Sequence, residues 1–308
     1  MNILLTGKDG QVGVELQRVL TPLGGLTAVG HRECDLSDGR ALSAIVRAVA
    51  PDVIVNAAAY TAVDLAESDP AKAFSINGAS LGVLGQEAER LGALVIHYST
   101  DYVFDGHKAT PYVESDSTNP INVYGQSKLA GELALMQSTA RHLILRTSWI
   151  MSAHGNNFMT TILRLAAQRE HLDVVDDQHG APTSAALIAD VTARLIEQLL
   201  LGDTSDAAYG VYHLTAAGHT DWHAYACHVI ASARASGYPV RVAAHAIRPV
   251  ASHLYPAPAK RPANSLLDTS RLRSTFNIEL PHWRQGVDEV LQQILRHTDD
   301  GGARHEDN

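Results

Sequence analysis

Tyr124 and Lys128 stand four residues apart in Tyr-Gly-Gln-Ser-Lys, and Ser99-Thr100-Asp101 lies a short way upstream. Positions i and i+4 share one face of a helix, so the phenol and the ammonium would be neighbours. A phenol titrating near ~10 is a reluctant proton donor and a worse base. An adjacent ammonium favours the phenolate and pulls that pKa toward neutrality. The chemistry this suits is delivery of a hydride to a carbonyl carbon with a proton to its oxygen: Tyr124 is the general acid, Lys128 its partner, and Thr100 stabilises the developing alkoxide. Tyr-x-x-x-Lys alone is a weak signal, and its plain reading is an exposed helical pair beside a strand-end hydroxyl. Its order after a glycine-rich turn gives it weight.

That turn opens the chain as Gly7-Lys8-Asp9-Gly10-Gln11-Val12-Gly13, between an apolar run and a helical pattern. Gly7, Gly10 and Gly13 permit positive φ and close approach of a pyrophosphate, and a helix beginning at Gln11 and Val12 offers free N–H groups to the phosphates. The spacing is G-x-x-G-x-x-G, so a tight strand–helix turn is the competing reading. Cofactor choice falls to the residues after the second strand, Gly30-His31-Arg32-Glu33. With no acid at the tip, Arg32 and His31 favour the 2′-phosphate of NADPH, while Glu33 leaves NADH open. Asp35-Leu36 resembles a pair that flanks adenine. Asn56-Ala57-Ala58-Ala59 follows the third strand, small enough for a cofactor to lie across it.

These residues need a scaffold. Apolar runs at residues 3–5, 26–29, 52–55, 94–98 and 142–146 alternate with helical spacing at 12–20, 41–49, 71–91 and 123–137. Continuous apolar strands between helices predict an α/β fold, a Rossmann-type doubly wound parallel sheet. Further on, 157–168, 184–200 and 221–233 read as helices and 210–214 as a returning strand. Residues 245–264, with Pro249, Pro256, Pro258 and Pro262, read as a shaped loop. The expected division is a dinucleotide-binding domain over 1–150, joined again by about 184–233. A smaller interleaved C-terminal substrate lobe takes 151–183 and 234–298, with a flexible tail at 299–308.

At 308 residues, 45% apolar and 19% charged, the composition suits an ordinary globular protein with ample core. A net charge of −9 without a basic block speaks against nucleic acid or an anionic membrane surface. Two cysteines, Cys34 and Cys227, form no disulfide framework; with no signal peptide and no long apolar run, a cytoplasmic location is expected. The apolar faces of 187–200 and 287–295 read as core or as subunit contact in a homodimer. His219, His223 and Cys227 fall at i, i+4, i+8, but Gly218-His219-Thr220-Asp221 looks like a loop and N-cap, so no metal site is assigned.

At these residues the chain resembles the extended short-chain dehydrogenase/reductases and, among them, the dTDP-4-dehydrorhamnose reductases. The match runs through the glycine turn, residues 56–64, 99–106, 122–128, 146–149, 155–158, 177–178 with 180–183, and 261–262 with 264–265. The resemblance implies NAD(P)H-dependent reduction of a dTDP-linked 4-keto sugar to dTDP-L-rhamnose, with Tyr124, Lys128 and Thr100 catalytic. It implies that Trp149 packs against the sugar, that Asp101 and Tyr102 shape its site, and that Ala59, Tyr60, Thr61 and Tyr98 line the cofactor. Arg261 is our own candidate for the diphosphate, as a guanidinium fork in an acidic protein; a surface ion pair is the alternative. Some family members join subunits through magnesium held by glutamates. Glu15 matches the first such position, but Ser184-Ala185-Ala186 lacks the expected acid, which speaks against magnesium here. Two further readings stay open: a sibling nucleotide-sugar epimerase, and a non-catalytic regulatory subunit akin to that of methionine adenosyltransferase. The intact Thr100, Tyr124 and Lys128 favour an enzyme.

Overall fold

The computed structural model describes residues 1–202 and 208–302. Strands β1 (Asn2–Thr6), β2 (Gly25–Val29), β3 (Val53–Asn56), β4 (Leu94–Thr100) and β5 (His142–Thr147) are connected in sequence by helices. These are α1 (Gln11–Leu20), α2 (Gly39–Val49), α3 (Val63–Ser68), α4 (Pro70–Phe74), α5 (Ser80–Leu91) and α6 (Val123–Ser138). The lobe begins with β6 (Ile150–Met151), α7 (Phe158–Gln168), β7 (Leu172–Val175), β8 (His179–Gly180) and β9 (Thr183–Ser184). Helix α8 (Ala185–Leu201) and β10 (Gly210–His213) return to the sheet. Then follow β11 (Thr220–Asp221), α9 (Trp222–Ala235), β12 (Ile247–Val250), α10 (Ser270–Phe276) and α11 (Trp283–Gly302).

The main sheet has the order β2-β1-β3-β4-β5-β10 with every pair parallel, as the α/β reading requires. Every residue of β3, β4 and β5 is buried, because successive side chains enter opposite layers. Leu5, Val55, Ile96 and Leu145 join the layer that includes Leu16 and Ile188; Leu4, Ile54, Val95 and Ile144 join the other, with Leu42 and Leu84. A third cluster, including Met159, Tyr225 and Trp283, holds the lobe together. The apolar faces of α8 and α11 enter these cores through Ile188, Val191, Leu195, Val287 and Leu291, so they are core and not free for subunit contact.

Chain direction across the sheet reverses at β1, whose neighbours are β2 and β3. That switch opens a crevice beyond the strand ends. Two departures from expectation bear on the site. The helix expected over 71–91 is interrupted by a π turn at Ser75–Ala79, a local widening often found at functional sites. The loop expected over 245–264 contains β12, which pairs parallel with β7, itself unforeseen. Pro249 is tolerated there because the ladder has only two strands. Helix α11 continues into the segment expected to be a tail, of which 303–308 lies outside the described residues.

Candidate active site

Gly7 ends β1 with φ +79°, and a Cβ there would lie 2.5 Å from the Ala58 nitrogen. A Cβ on Gly13 would run into the Gly7 carbonyl oxygen. The turn is therefore tight in the way a pyrophosphate cradle requires. Gly10 caps α1 without a side chain, leaving first-turn N–H groups for an anion. A cleft of about 390 Å3 opens over this turn. Of the expected cofactor residues, Gly7, Gly10, Gln11, Val12, Asp35, Leu36, Ala59 and Thr61 line it. Gly13 sits beneath the turn. Tyr60 is held by Asn77, whose side chain accepts from its nitrogen at 2.8 Å and donates to its oxygen at 3.0 Å. Asn77 lies in the π turn and also donates to Ser127 of α6 at 3.0 Å, tying the cleft wall to the helix that carries Tyr124. Arg32 is exposed and does not line the cleft. The residues present fit a dinucleotide.

Asn122 caps α6, accepting from Gly125 N at 2.8 Å and donating to the Lys260 carbonyl at 2.7 Å. One turn inward, half-buried Tyr124 packs edge-on to Tyr102, ring centroids 5.8 Å apart. Lys128 is 1% exposed; its Nζ donates to the Tyr98 carbonyl at 2.6 Å and lies 3.1 Å from His97 Nε2. Tyr98 thus meets Lys128 through its backbone. Its ring points to the other face of β4, where the hydroxyl lies 2.7 Å from Thr192 Oγ1, not toward the cofactor cleft. Burial pushes the Lys128 ammonium down to about 7, opposed by Glu132.

The expected pull of Lys128 on the phenol is not what this geometry produces. Burial first, then the charge of Asp101, raises the Tyr124 pKa well above the usual phenol range, and a hydrogen bond with Thr100 acts against them. The reason is placement: the Lys128 ammonium sits against Tyr98 O and His97. The phenol is thereby held protonated, with its proton harder to release than that of a free phenol. Thr100 donates to Asp101 Oδ1 at 2.9 Å. Burial pushes the Asp101 carboxyl up to about 6, against hydrogen bonds from Ser265 and Thr100.

Trp149, at φ +47°, stacks on Trp222 with centroids 3.5 Å apart, and both line a hollow of about 230 Å3. Gln11, Thr61 and Ile150 line both this hollow and the cofactor cleft; Phe158 and Trp222 join it to a third hollow of about 390 Å3 bearing Tyr102 and Arg261. The three make one trough. Arg261 lines its far end, yet its fork is held by Asp64, Nη1 to Oδ1 and Nη2 to Oδ2 both 2.7 Å, which gives the ion-pair reading its support. His97, Asn77, Asp64 and Trp222 were not singled out from sequence. Only Asp64 lay in a motif stretch; the others are ordinary core-type residues until the fold gathers them.

His223 and Cys227 meet on α9 at 3.6 Å, while His219 precedes the helix. Among the described residues, no three His, Cys, Asp or Glu gather to hold a metal. Helix α8 does carry an acid, Asp190; Arg18 reaches it at 2.9 Å and Glu15 at 3.2 Å, placing a guanidinium between the two.

Comparison with known proteins decides the family. A family model described as RmlD substrate binding domain matches residues 1–296. The dTDP-4-dehydrorhamnose reductase of Escherichia coli is 49% identical, over 97% of this chain and 99% of its own length. The chain belongs to the dTDP-4-dehydrorhamnose reductase family. The Burkholderia thailandensis member is 48% identical, over 96% of this chain and 99% of its own. Among solved structures, the Clostridium acetobutylicum reductase superposes with TM-score 0.87 at 32% identity, covering 96% of this chain and 100% of its own. The Bacillus anthracis reductase, solved with NADP, gives 0.86 at 31%, covering 94% and 98%. A UDP-glucose 4-epimerase from Thermus thermophilus, at 17% identity and TM-score 0.75 (96% of this chain, 99% of its own), shares the fold. No described helix is long and apolar enough to cross a membrane.

Proposed function

We propose that this reductase-family member converts dTDP-4-dehydro-L-rhamnose to dTDP-L-rhamnose with NAD(P)H. The observation that carries the reading is the continuous trough from the glycine turn past Trp149 to Tyr102 and Arg261, with Tyr124 against Tyr102 at its wall. A reduced nicotinamide bound in the cleft would supply the hydride to C4. Tyr124 gives its phenolic proton to the carbonyl oxygen, so the carbonyl gains one hydride and one proton. Thr100, beside both Tyr124 and Asp101, supports the oxygen as charge develops. Lys128 holds the base of this arrangement through Tyr98 O and His97.

His31, which lines the cleft, supports NADPH, and the Asp9 carboxylate against Gly30 supports NADH. The exposed Leu133 and Met136 on α6 give a homodimer a surface, and two free cysteines suit the cytoplasm. The test is loss of nicotinamide absorbance when the 4-keto sugar nucleotide is added, with Tyr124→Phe as control. Oxidation abolished by the substitution supports the reading. Cofactor binding without oxidation moves the substrate to another keto sugar.

A further inference from the structure

The end of β2 is where dinucleotide folds place the acid that binds the adenosine ribose. Here that position is Gly30, immediately after Val29. It is not an open space. A Cβ built on Gly30 would overlap the Asp9 carboxylate oxygen Oδ2, and would lie 3.2 Å from Glu33 Oε2. Asp9, from the glycine turn, therefore fills the volume a side chain at position 30 would take, and both residues line the cofactor cleft.

Glu33 is fixed on the other side of the same glycine. Its Oε2 accepts from Gly30 N at 2.8 Å, and its Oε1 takes the Lys8 ammonium at 2.6 Å. The cation within the turn is thus already paired with an acid. His31 leans to Asp35, Nδ1 to Oδ1 3.8 Å. Arg32 is exposed outside the lining. The Asp9 carboxylate consequently faces the place of the ribose 2′-substituent, beside His31 in the cleft lining, while Glu33 stays outside that lining and is held by Gly30 N and Lys8. Carboxylates accept hydrogen bonds and donate none while ionised. They suit a hydroxyl and repel a dianionic phosphate.

We infer that Asp9 is the cofactor-specificity residue of this chain, standing in from the glycine turn for the acid missing at Gly30, and that it selects NADH over NADPH. This rests on the proposed nicotinamide cleft and deepens it. It reverses the preference drawn from Arg32, because that exposed side chain lies outside the cleft lining while one from the glycine turn fills the site.

The test is equilibrium titration of NADH and NADPH onto the substrate-free protein, followed by kcat/KM with each. The wild-type protein is expected to bind NADH tighter by about tenfold or more. Asp9→Asn, and Asp9→Ser as a second variant in case the first disturbs the turn, should move the Kd ratio toward NADPH by about tenfold. Arg32→Ala should leave that ratio within about twofold. Tighter NADPH binding by the wild-type protein, or a ratio unmoved in both Asp9 variants, overturns the assignment while leaving the cleft intact. Binding of neither dinucleotide overturns the cleft reading and this inference with it.

Discussion

Lys128 Nζ lies 3.1 Å from His97 Nε2, in a seam between α6 and β4 where both side chains are buried. His97 is held in turn by Asn56, 3.0 Å from its Nδ1, and Asn56 accepts from Thr6 at 2.6 Å. Burial depresses the His97 pKa well below its usual range, with Lys128 adding to the effect. The lysine therefore faces a neutral imidazole and a carbonyl, not an anion.

That arrangement makes the lysine costly to the fold. Its native pKa of about 7 lies below the ordinary 10.5, so between those values the unfolded chain binds more protons and stability rises with pH. Lys128→Met should stabilise the protein by ~1–4 kcal/mol at pH 7, and the gain should shrink as pH approaches 10.5. Activity should fall by ~100-fold or more. Thermal unfolding across that pH range checks it; a gain that does not change with pH would contradict the buried-amine account.

Asp101 sets a second pH dependence. Ionised above about 6, it accepts a hydrogen bond from Thr100 and keeps the pKa of the Tyr124 phenol raised. Protonated below that point, it frees Thr100 to donate to the substrate oxygen. The reductive kcat/KM should rise as pH falls through about 6, and Asp101→Asn should flatten that step. Tyr124→Phe should lower kcat by ~100- to 10,000-fold with cofactor Kd unchanged. Parallel pH–rate profiles are the measurement.

Beneath Lys128, Arg146 grips Glu132 with Nε at 2.9 Å and Nη2 at 2.6 Å, both side chains 5% exposed or less. Breaking such a pair leaves a buried charge, so Glu132→Gln should cost ~3–5 kcal/mol. The joint change Glu132→Leu with Arg146→Met should recover most of the loss. Denaturant titration of the two variants beside the wild-type protein decides it; equal losses in the single and double variants would mean the pair is not the unit.

A Cβ on Gly180 would overlap the Trp149 indole, which is stacked on Trp222. Gly180→Ala should displace that stack at ~1–3 kcal/mol, raising KM for the sugar nucleotide by about tenfold. Nicotinamide cofactor Kd should stay within about twofold. An equal loss in cofactor affinity would mean that the lobe and the cleft do not move independently.

Much of this was legible in the chain. Buried parallel strands appear as unbroken apolar runs, glycine marks the turn after β1 where Gly7 adopts φ +79°, and Tyr124 and Lys128 share a face by helical spacing alone. The strand β7 and its partner β12 were not, because four-residue runs such as Leu172–Val175 carry too little pattern to separate from loop. The π turn was also hidden, since its residues carry no local signal that separates it from α-helix, yet it places Asn77 against Tyr60.

Local periodicity and local conformational freedom are enough to set the layering of the sheet, the glycine turn and the shared helical face of Tyr124 and Lys128. Packing sets which polar groups meet. Asp9 against Gly30, Asp64 on Arg261 and His97 under Lys128 join residues remote in the chain or on different elements. Electrostatic energy depends on distance and burial, and neither can be read from position along the chain.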